Sequence, residues 1–227
     1  SGDWSSDVCS SDLEELSNPR MGHRPRAREP GLWCSMVTKT IHPKDPQAKS
    51  LPALKAIDQE KADLEKLGTW DYQHPYEAEN AAKLYPNCHF ARLFAIVGIK
   101  NYEQAVEHHK WKGRIVVSGD KIRTATGEWA IFQELGAVPS TMTACRAILA
   151  IFALYDGLTL LQSDCVRAYV QAELRGTPTF VRLPRAWWPK EWHSFKDPVC
   201  RLVKALYGHP EAGNHWHHHI ENKPQHD

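Results

Sequence analysis

The sequence has almost no excess charge, no closely spaced cysteine pair and no long apolar run. A net charge of +1 over 227 residues gives no whole-chain reason to expect a nucleic-acid partner, so any basic binding surface must be local. The six cysteines include no Cys-x-x-Cys pair, which argues against a zinc ribbon and a disulfide scaffold. No apolar run reaches the roughly 18 residues that a membrane helix needs, and no segment resembles a secretory signal. These absences favour an intracellular, cytoplasmic protein with reduced cysteines and no membrane partner.

The first fifty residues differ from the rest in composition. The opening SGDWSSDVCSSDL has no apolar periodicity and resembles a translated sequencing adapter, and the stretch after it is rich in Pro, Gly and Arg. Such a segment buries too little apolar surface to offset its ordering entropy. We therefore expect residues 1–50 to be a disordered or non-native leader, and residues 51–227 to form one domain.

The start of that domain predicts a helix followed by a hairpin. Apolar residues recur on one helical face over 51–67, and Gly68 stands where a helix would end. The apolar residues of this face are Leu54, Ile57, Leu64 and Leu67. Two runs rich in β-branched residues, 92–99 and 111–118, are separated by a polar segment too short for a parallel crossover. These two runs therefore predict an antiparallel hairpin.

The second half predicts a mixture of helices and strands. Residues 140–156 are apolar on nearly every side, which predicts a buried helix capped by Ser140, with Ile148 and Phe152 in the core. Strands are expected at 158–164, in TPTFVRLP and in PVCRLVKALYG, and a last helix in PEAGNHWHHHIE. The pattern has no repeats and no βαβ regularity, so the fold class is α+β.

One aspartate, Asp164, follows an apolar run, and an Ala-Tyr pair comes four and five residues later. By itself, an Asp at a strand end is an ordinary residue meeting water. The segment that contains Asp164 is the third of four that occur in a characteristic order. The four segments are ALKAIDQEKADLEKLGTWDY, WKGRIVVSGD, LQSDCVRAYVQAEL and PVCRLVKALYGHPEAGNHW. In that order they resemble the opening helix with Gly-Thr-Trp, the Lys-x-Arg-hydrophobic-Val strand, the Asp-Val-x-x-Ala-Phe/Tyr-Leu segment and the Leu-Tyr-Gly segment of Ty1/copia-type retrotransposon reverse transcriptases. The resemblance covers about residues 52–220.

This resemblance implies a fold and an activity. The fold would be a partial right-hand polymerase, with the fingers and the first part of the palm. The activity would be RNA-directed DNA polymerase, in which two Mg²⁺ ions activate the primer hydroxyl and steady the leaving phosphate. The implied partners are an RNA or DNA template-primer, deoxynucleotides and the remainder of a polyprotein, within a cytoplasmic virus-like particle.

The resemblance also assigns roles around the aspartate. Asp164 matches the first catalytic, metal-binding aspartate, and Cys165 matches the position whose backbone carbonyl completes that metal's ligands. Ala168 and Tyr169 match the nucleotide-binding pair, in which the aromatic ring lies beneath the incoming sugar and excludes a ribose 2′-OH. The alternative for Tyr169 is an ordinary amphipathic ring at the edge of the core.

Lys112 and Arg114 match the position at which the family places basic groups near the triphosphate or template. Alternate residues of a strand face the same side, so both could reach one groove lined by phosphates. Ordinary solvent exposure is the alternative for both residues.

Two features depart from the family pattern. Glu211 stands where the family commonly has Gln, and it adds a negative charge beside expected phosphates. The 227 residues also contain no Tyr-x-Asp-Asp, the motif that supplies the other two metal carboxylates. With one carboxylate instead of three, Mg²⁺ is expected to bind weakly.

Two further hypotheses use other residues. His215 and His219 share a helix face at a spacing that can hold zinc, although no nearby Cys completes a tetrahedral set. Tryptophans near basic residues, Trp111 and those of RAWWPKEW, could stack on bases in a noncatalytic nucleic-acid-binding or structural remnant of a mobile element. Their alternative role is to anchor a hairpin against the core.

The missing carboxylates lead to the first prediction. We expect the 227-residue polypeptide to extend no primer with deoxynucleotides and Mg²⁺ on any template, because both metals must be held at once. A primer-extension assay beside the Asp164→Asn variant checks this. Extension by the wild-type chain that the variant abolishes would contradict the expectation and identify Asp164 as the ligand.

Overall fold

The structure, a computed structural model, describes residues 37–132, 140–155, 157–160 and 165–222. These residues form an α+β fold with four α-helices and a seven-stranded mixed sheet. The helices are α1 (Leu51–Lys66), α2 (Ala78–Leu84), α3 (Met142–Leu154) and α4 (Ala212–Glu221). The strands are β1 (Lys39–Ile41), β2 (Tyr76–Glu77), β3 (His89–Lys100), β4 (Lys110–Val117), β5 (Arg123–Thr124), β6 (Thr179–Arg182) and β7 (Pro198–Arg201).

Strand β3 organises the sheet, because its twelve residues pair with four other strands. Its second half pairs antiparallel with β4 and with β1, and its first half pairs antiparallel with β5 and parallel with β6. Strands β7 and β2 continue the sheet beyond β6. The predicted hairpin is confirmed, with a register that runs from Leu93 opposite Val117 to Lys100 opposite Lys110.

Helix α1 also forms where the sequence predicts it. It ends before Gly68, whose φ of +66° places it in the left-handed region that favours glycine after a helix. The expected apolar face is only partly right, since Leu64 is 1% exposed whereas Leu54 and Leu67 are 46% and 43% exposed.

A close approach explains which side of α1 is buried. A Cβ at Gly113 of β4 would lie 2.5 Å from the carbonyl oxygen of Ala56, so the helix backbone rests directly on the strand. Ala53, fully buried, lies on the same side of the helix. Small residues rather than leucines therefore face the sheet at this contact.

The two faces of the sheet carry different apolar clusters. The larger core lies on the face that α1 covers and includes Leu64, Trp70, Leu93, Ile115, Val117, Ile122, Val181 and Leu206. On the opposite face, Phe90 and Phe180 pack with residues of α2. Because neighbouring residues of a strand point to opposite faces, the even-numbered residues of β3 share the face of Phe90.

The expected leader, residues 1–50, includes residues that belong to the folded sheet. Strand β1 lies before residue 50 and pairs with β3, from Lys39 opposite Ile99 to Ile41 opposite Val97. Ile41 is 3% exposed and packs against Ala53 and Val97. Order therefore begins before residue 50, because pairing with β3 supplies backbone partners that local composition does not reveal.

The expected burial of the helix from Ser140 is wrong. Helix α3 forms and is capped by Thr141, whose side chain accepts from the Ala144 N–H, but none of its residues is buried. Ile148 is 56% exposed, and Phe152 is only half-buried. An apolar surface predicts that a helix needs cover but not which element supplies it, and no described element buries these side chains. Within the described ranges, no helix is both long and apolar enough to cross a membrane.

The remaining elements follow the expectations in part. TPTFVRLP contains β6, PVCRLVKALYG contains β7, and the last predicted helix is α4. Residues 158–160 are not in a strand, and the rest of the strand expected at 158–164 lies outside the described residues. The cysteines within the described residues, Cys88, Cys145, Cys165 and Cys200, are free.

A buried histidine, His209, links the sheet to the segment before α4. It is 4% exposed, and its Nδ1 accepts from the Glu211 N–H at 3.3 Å. The proton of the neutral ring is therefore on Nε2, which lies 3.4 Å from the Thr179 hydroxyl. Burial, together with the nearby His215 and His89, lowers the pKa of His209 to about 4.

This pKa predicts a loss of stability in acid. The unfolded chain takes up a proton at His209 near pH 6.5, whereas the folded chain resists it down to about pH 4. The contribution of His209 is therefore fully present above pH 6.5 and falls by on the order of 3 kcal/mol as the pH approaches 4. Urea unfolding at both pH values, beside His209→Gln, checks this. An equally steep pH dependence in the variant would contradict it.

Candidate nucleic-acid interface

Lys112 and Arg114 lie on β4 and point to the same face of the sheet, as their alternation predicts. They are paired with Gly98 and Ile96 of β3. With Lys100 they border a shallow depression of about 40 Å³, which Thr38 and Thr40 also line. We call this depression the hairpin groove. It places three cationic side chains around one small opening.

The electrostatics of the hairpin groove favour an anion. Lys112 is exposed as a residue, yet partial burial of its ammonium lowers its pKa, and the charges of Lys100 and Arg114 lower it further. Glu60 opposes this effect. A bound phosphate would offset the same repulsion, because it brings negative charge among three cations.

Gly98 keeps the floor of the groove open to β1. A Cβ at this position would lie 3.0 Å from Cγ2 of Thr38 and 3.1 Å from the carbonyl oxygen of Lys39. Both contacts are tighter than ordinary van der Waals packing. Because Gly98 has no side chain, β1 can pair with β3 directly beside the hairpin groove.

The residues expected around the metal are described only in part. Asp164 lies outside the described residues, and Cys165, which follows it, is exposed. Ala168 precedes a short 3₁₀ turn, Tyr169–Gln171. The ring of Tyr169 is half-buried and meets the ring of Tyr207 edge-on, with centroids 4.9 Å apart. This contact matches the expected alternative of a ring at the edge of the core, and the sugar-gate role stays a prediction.

Sequence reasoning missed Arg167. Its φ of +54° is rare for a residue with a side chain. Its guanidinium forms ion pairs with Asp63 and Glu60 of α1, and the hydrogen bond from Arg167 is the main cause that lowers the pKa of Asp63. Arg167 therefore ties the loop after Asp164 to the opening helix. The only signal in the sequence was a positive charge inside a motif, and no local pattern names a partner 104 residues away.

Glu60 connects this ion pair to the hairpin. The pKa of Glu60 is raised, chiefly by burial, and the charges of Arg167, Lys112 and Arg114 oppose this shift. The loop after Asp164 and the basic strand are thus within electrostatic reach of one carboxylate. The structure brings Lys112, Arg114 and Arg167 into one charged neighbourhood.

The Leu-Tyr-Gly segment is bound to the end of β4. The Val117 N–H donates to the carbonyl oxygen of Tyr207 at 2.8 Å. Gly208 has a φ of +86°, and a Cβ there would lie 2.2 Å from the carbonyl oxygen of Val117. Gly119 is equally close on the other side, with its Cβ position 2.1 Å from the Gly208 oxygen. Both positions require glycine, because the two backbones lie too close together to leave room for a Cβ.

The third and fourth motif segments also pair with each other. The Ala205 N–H donates to Ala172, and the Leu174 N–H donates to Val203, each at 2.9 Å. Ala172 and Ala205 are buried together beside Tyr169. The four segments that carry the family resemblance therefore converge, although they are far apart in the chain.

The other expected sites are less supported. Trp192 is 3% exposed, and Trp187 and Trp188 pack against the main core, so these rings match the anchoring role. His215 and His219 both lie on α4. Among the residues that the structure describes, no group of three or more His, Cys, Asp or Glu side chains could hold a metal ion.

The Gly208 contact gives a matched pair of variants. Gly208→Ala is expected to destabilise the fold more than Gly176→Ala. Both glycines have similar positive φ, +86° and +81°, but the Gly176 Cβ position has no atom within 4 Å. Strain at φ should cost about 1–2 kcal/mol in each, and the overlap with Val117 should add about 1–3 kcal/mol at Gly208 alone. Urea unfolding checks this, and equal losses would show that the close approach is unimportant.

Comparisons of the chain with protein-family models, with curated proteins and with solved structures find no significant match.

Proposed function

We propose that the chain is part of a Ty1/copia-type retrotransposon reverse transcriptase, an RNA-directed DNA polymerase. In this proposal the hairpin of β3 and β4 belongs to the fingers, and the segments around Asp164 and Gly208 belong to the first part of the palm. The template-primer and the deoxynucleotides are its ligands, and the rest of a polyprotein is its covalent context. The α+β architecture is compatible with this assignment.

The observation that carries the proposal is the convergence of the four motif segments. Arg167 of the third segment pairs with α1 of the first, and the fourth segment is hydrogen-bonded to both the second and the third. Residues that bind one substrate in a polymerase must lie close together, whatever their order in the chain. This convergence therefore supports a shared site rather than four unrelated patterns.

The hairpin groove supports the nucleotide-binding role of Lys112 and Arg114. Their side chains share the open face, and Lys100 adds a third cation at the same opening. An Arg fork and a Lys ammonium are the groups that most often hold phosphate oxygens. In the proposal they bind the triphosphate or the template backbone, while Ala168 and Tyr169 lie beneath the incoming sugar.

In this proposal, the residues that would bind a metal ion are Asp164 and Cys165, the latter through its backbone carbonyl. When bound, Mg²⁺ would lower the pKa of the attacking hydroxyl and stabilise the leaving phosphate. The described residues contain no group of three or more His, Cys, Asp or Glu side chains that could hold a metal ion. They are therefore assigned binding and positioning roles only.

A noncatalytic nucleic-acid-binding remnant of a mobile element is the second candidate. The same groove favours it, since phosphate binding needs the cations but not the carboxylates. The two candidates differ in the role of Asp164. Deoxynucleotide binding that requires Mg²⁺ and is lost in Asp164→Asn favours the polymerase, whereas template-primer binding without that dependence favours the remnant.

A binding experiment tests the interface that both candidates share. The double variant Lys112→Ala/Arg114→Ala is expected to bind a fluorescein-labelled primer-template at least tenfold more weakly in fluorescence anisotropy. The slope of log affinity against log salt should fall by about two, because two phosphate contacts are lost.

The control variant is Lys55→Ala, which removes one exposed charge from α1 away from the groove. It should bind within about twofold of the wild type. Unchanged affinity and salt slope in the double variant would exclude the groove as the nucleic-acid interface.

A further inference from the structure

An open cleft of about 840 Å³ lies on the face of β3 that carries Phe90, between helix α2 and the turn after β5. Its volume falls within the roughly 300–1,000 Å³ typical of small-molecule sites. None of the motif segments accounts for it. Four cationic side chains, Arg92, Lys121, Arg123 and Arg182, line it, against the two carboxylates of Glu79 and Asp197.

The cations of the cleft are not equally available. Arg182 donates to both carboxylate oxygens of Asp197, at 2.8–3.1 Å, so this pair is largely neutral. Arg92 and Lys121 are exposed, and their side chains form no ion pair or hydrogen bond within the part of the chain that the structure describes. Beside this neutralised pair, the cleft therefore holds three positive charges, those of Arg92, Lys121 and Arg123, against the carboxylate of Glu79.

Arg123 is held in place by an aromatic ring. Its guanidinium carbon lies 3.3 Å from the ring centroid of Trp129, and its Nη1 donates to the carbonyl oxygen of Gly127 at 3.2 Å. A stacked guanidinium keeps its remaining N–H groups directed outward and loses little further entropy on binding an anion. Trp129 is 56% exposed, so a flat apolar surface stays accessible beside the cations.

Fixed cations beside an exposed indole match the chemistry of a nucleotide. We propose that this cleft binds a nucleotide, with the phosphate held by Arg92, Lys121 and Arg123 and the base against Trp129. Such a site extends the molecule beyond the polymerase assignment and does not depend on it, because its residues lie outside the nucleotide-binding set assigned there. The nucleotide could be free or part of a single strand.

The geometry of the sheet favours a nucleotide that is part of a single strand. Arg92 and Gly98 lie on the same face of β3, since both are even-numbered strand residues. Six residues of strand span about 20 Å, so one single strand of a few nucleotides could contact both the cleft and the hairpin groove. Phe94, between them, is 41% exposed and offers an apolar contact on the way.

The test uses two probes and measures fluorescence anisotropy. The probes are a mononucleotide, N-methylanthraniloyl-dAMP, and a fluorescein-labelled twelve-residue oligothymidine. The double variant Arg92→Ala/Lys121→Ala is expected to bind the mononucleotide at least tenfold more weakly than the wild type. The control Lys55→Ala should leave mononucleotide affinity within about twofold. The double variant Lys112→Ala/Arg114→Ala is measured with the oligothymidine.

The two probes separate the sources. If the oligothymidine binds much more tightly than the mononucleotide, and both double variants weaken it, the cleft takes a nucleotide of a strand that also crosses the hairpin groove. If the oligothymidine gains nothing over the mononucleotide and only the cleft variant weakens it, the cleft takes a free nucleotide. Either result supports the site.

Three results would overturn the site. Unchanged mononucleotide affinity in Arg92→Ala/Lys121→Ala is the first, and equal weakening by Lys55→Ala is the second. The third is equally effective competition by a polyglutamate peptide, which would show general attraction of anions. Thermal melting of each variant verifies folding, and both cleft residues are exposed, so their removal should leave the core intact. If the groove variant leaves primer-template binding unchanged while the cleft variant weakens mononucleotide binding, the proposed nucleic-acid interface fails and the cleft site stands.

Discussion

Backbone hydrogen bonds between β3 and its neighbours hold the sheet together and set the positions of both candidate sites. One strand of twelve residues receives β4 and β1 along its second half, and β5 and β6 along its first half. Both candidate binding surfaces lie on one face of this strand, the hairpin groove near Gly98 and the cleft near Arg92. A shift in register of one residue would turn these positions to the opposite face and bury charge against α1.

Close backbone contacts lock the other segments to this strand. Gly113 lets α1 rest on β4, and Gly208 with Gly119 lets the Leu-Tyr-Gly segment reach the end of the same strand. Such contacts leave no room for a Cβ, so a side chain at any of these sites would push two backbones apart. The glycine of the Leu-Tyr-Gly motif thus has a structural reason, independent of any catalytic role.

Much of the local structure could be predicted from short patterns. The antiparallel hairpin followed from two β-rich runs and a short polar link, and α1 followed from its periodicity and Gly68. The order before residue 50 and the exposure of Ile148 could not be predicted in this way. Strand β1 is stabilised by partners near residue 98, and the cover of an apolar helix depends on what lies beside it in space.

The candidate sites also combine features that local sequence patterns predict with features that depend on tertiary contacts. The sequence alone predicts that Lys112 and Arg114 share a face, because strand alternation is a local property. It also supplied the family resemblance that singles out Asp164 and Tyr169. The three-dimensional fold was needed to show that Arg167 pairs with α1 and that cations from β3, β6 and the segment around β5 line one cleft. Those partners are distant in the chain, and charge attracts through space without leaving a periodic trace in the sequence.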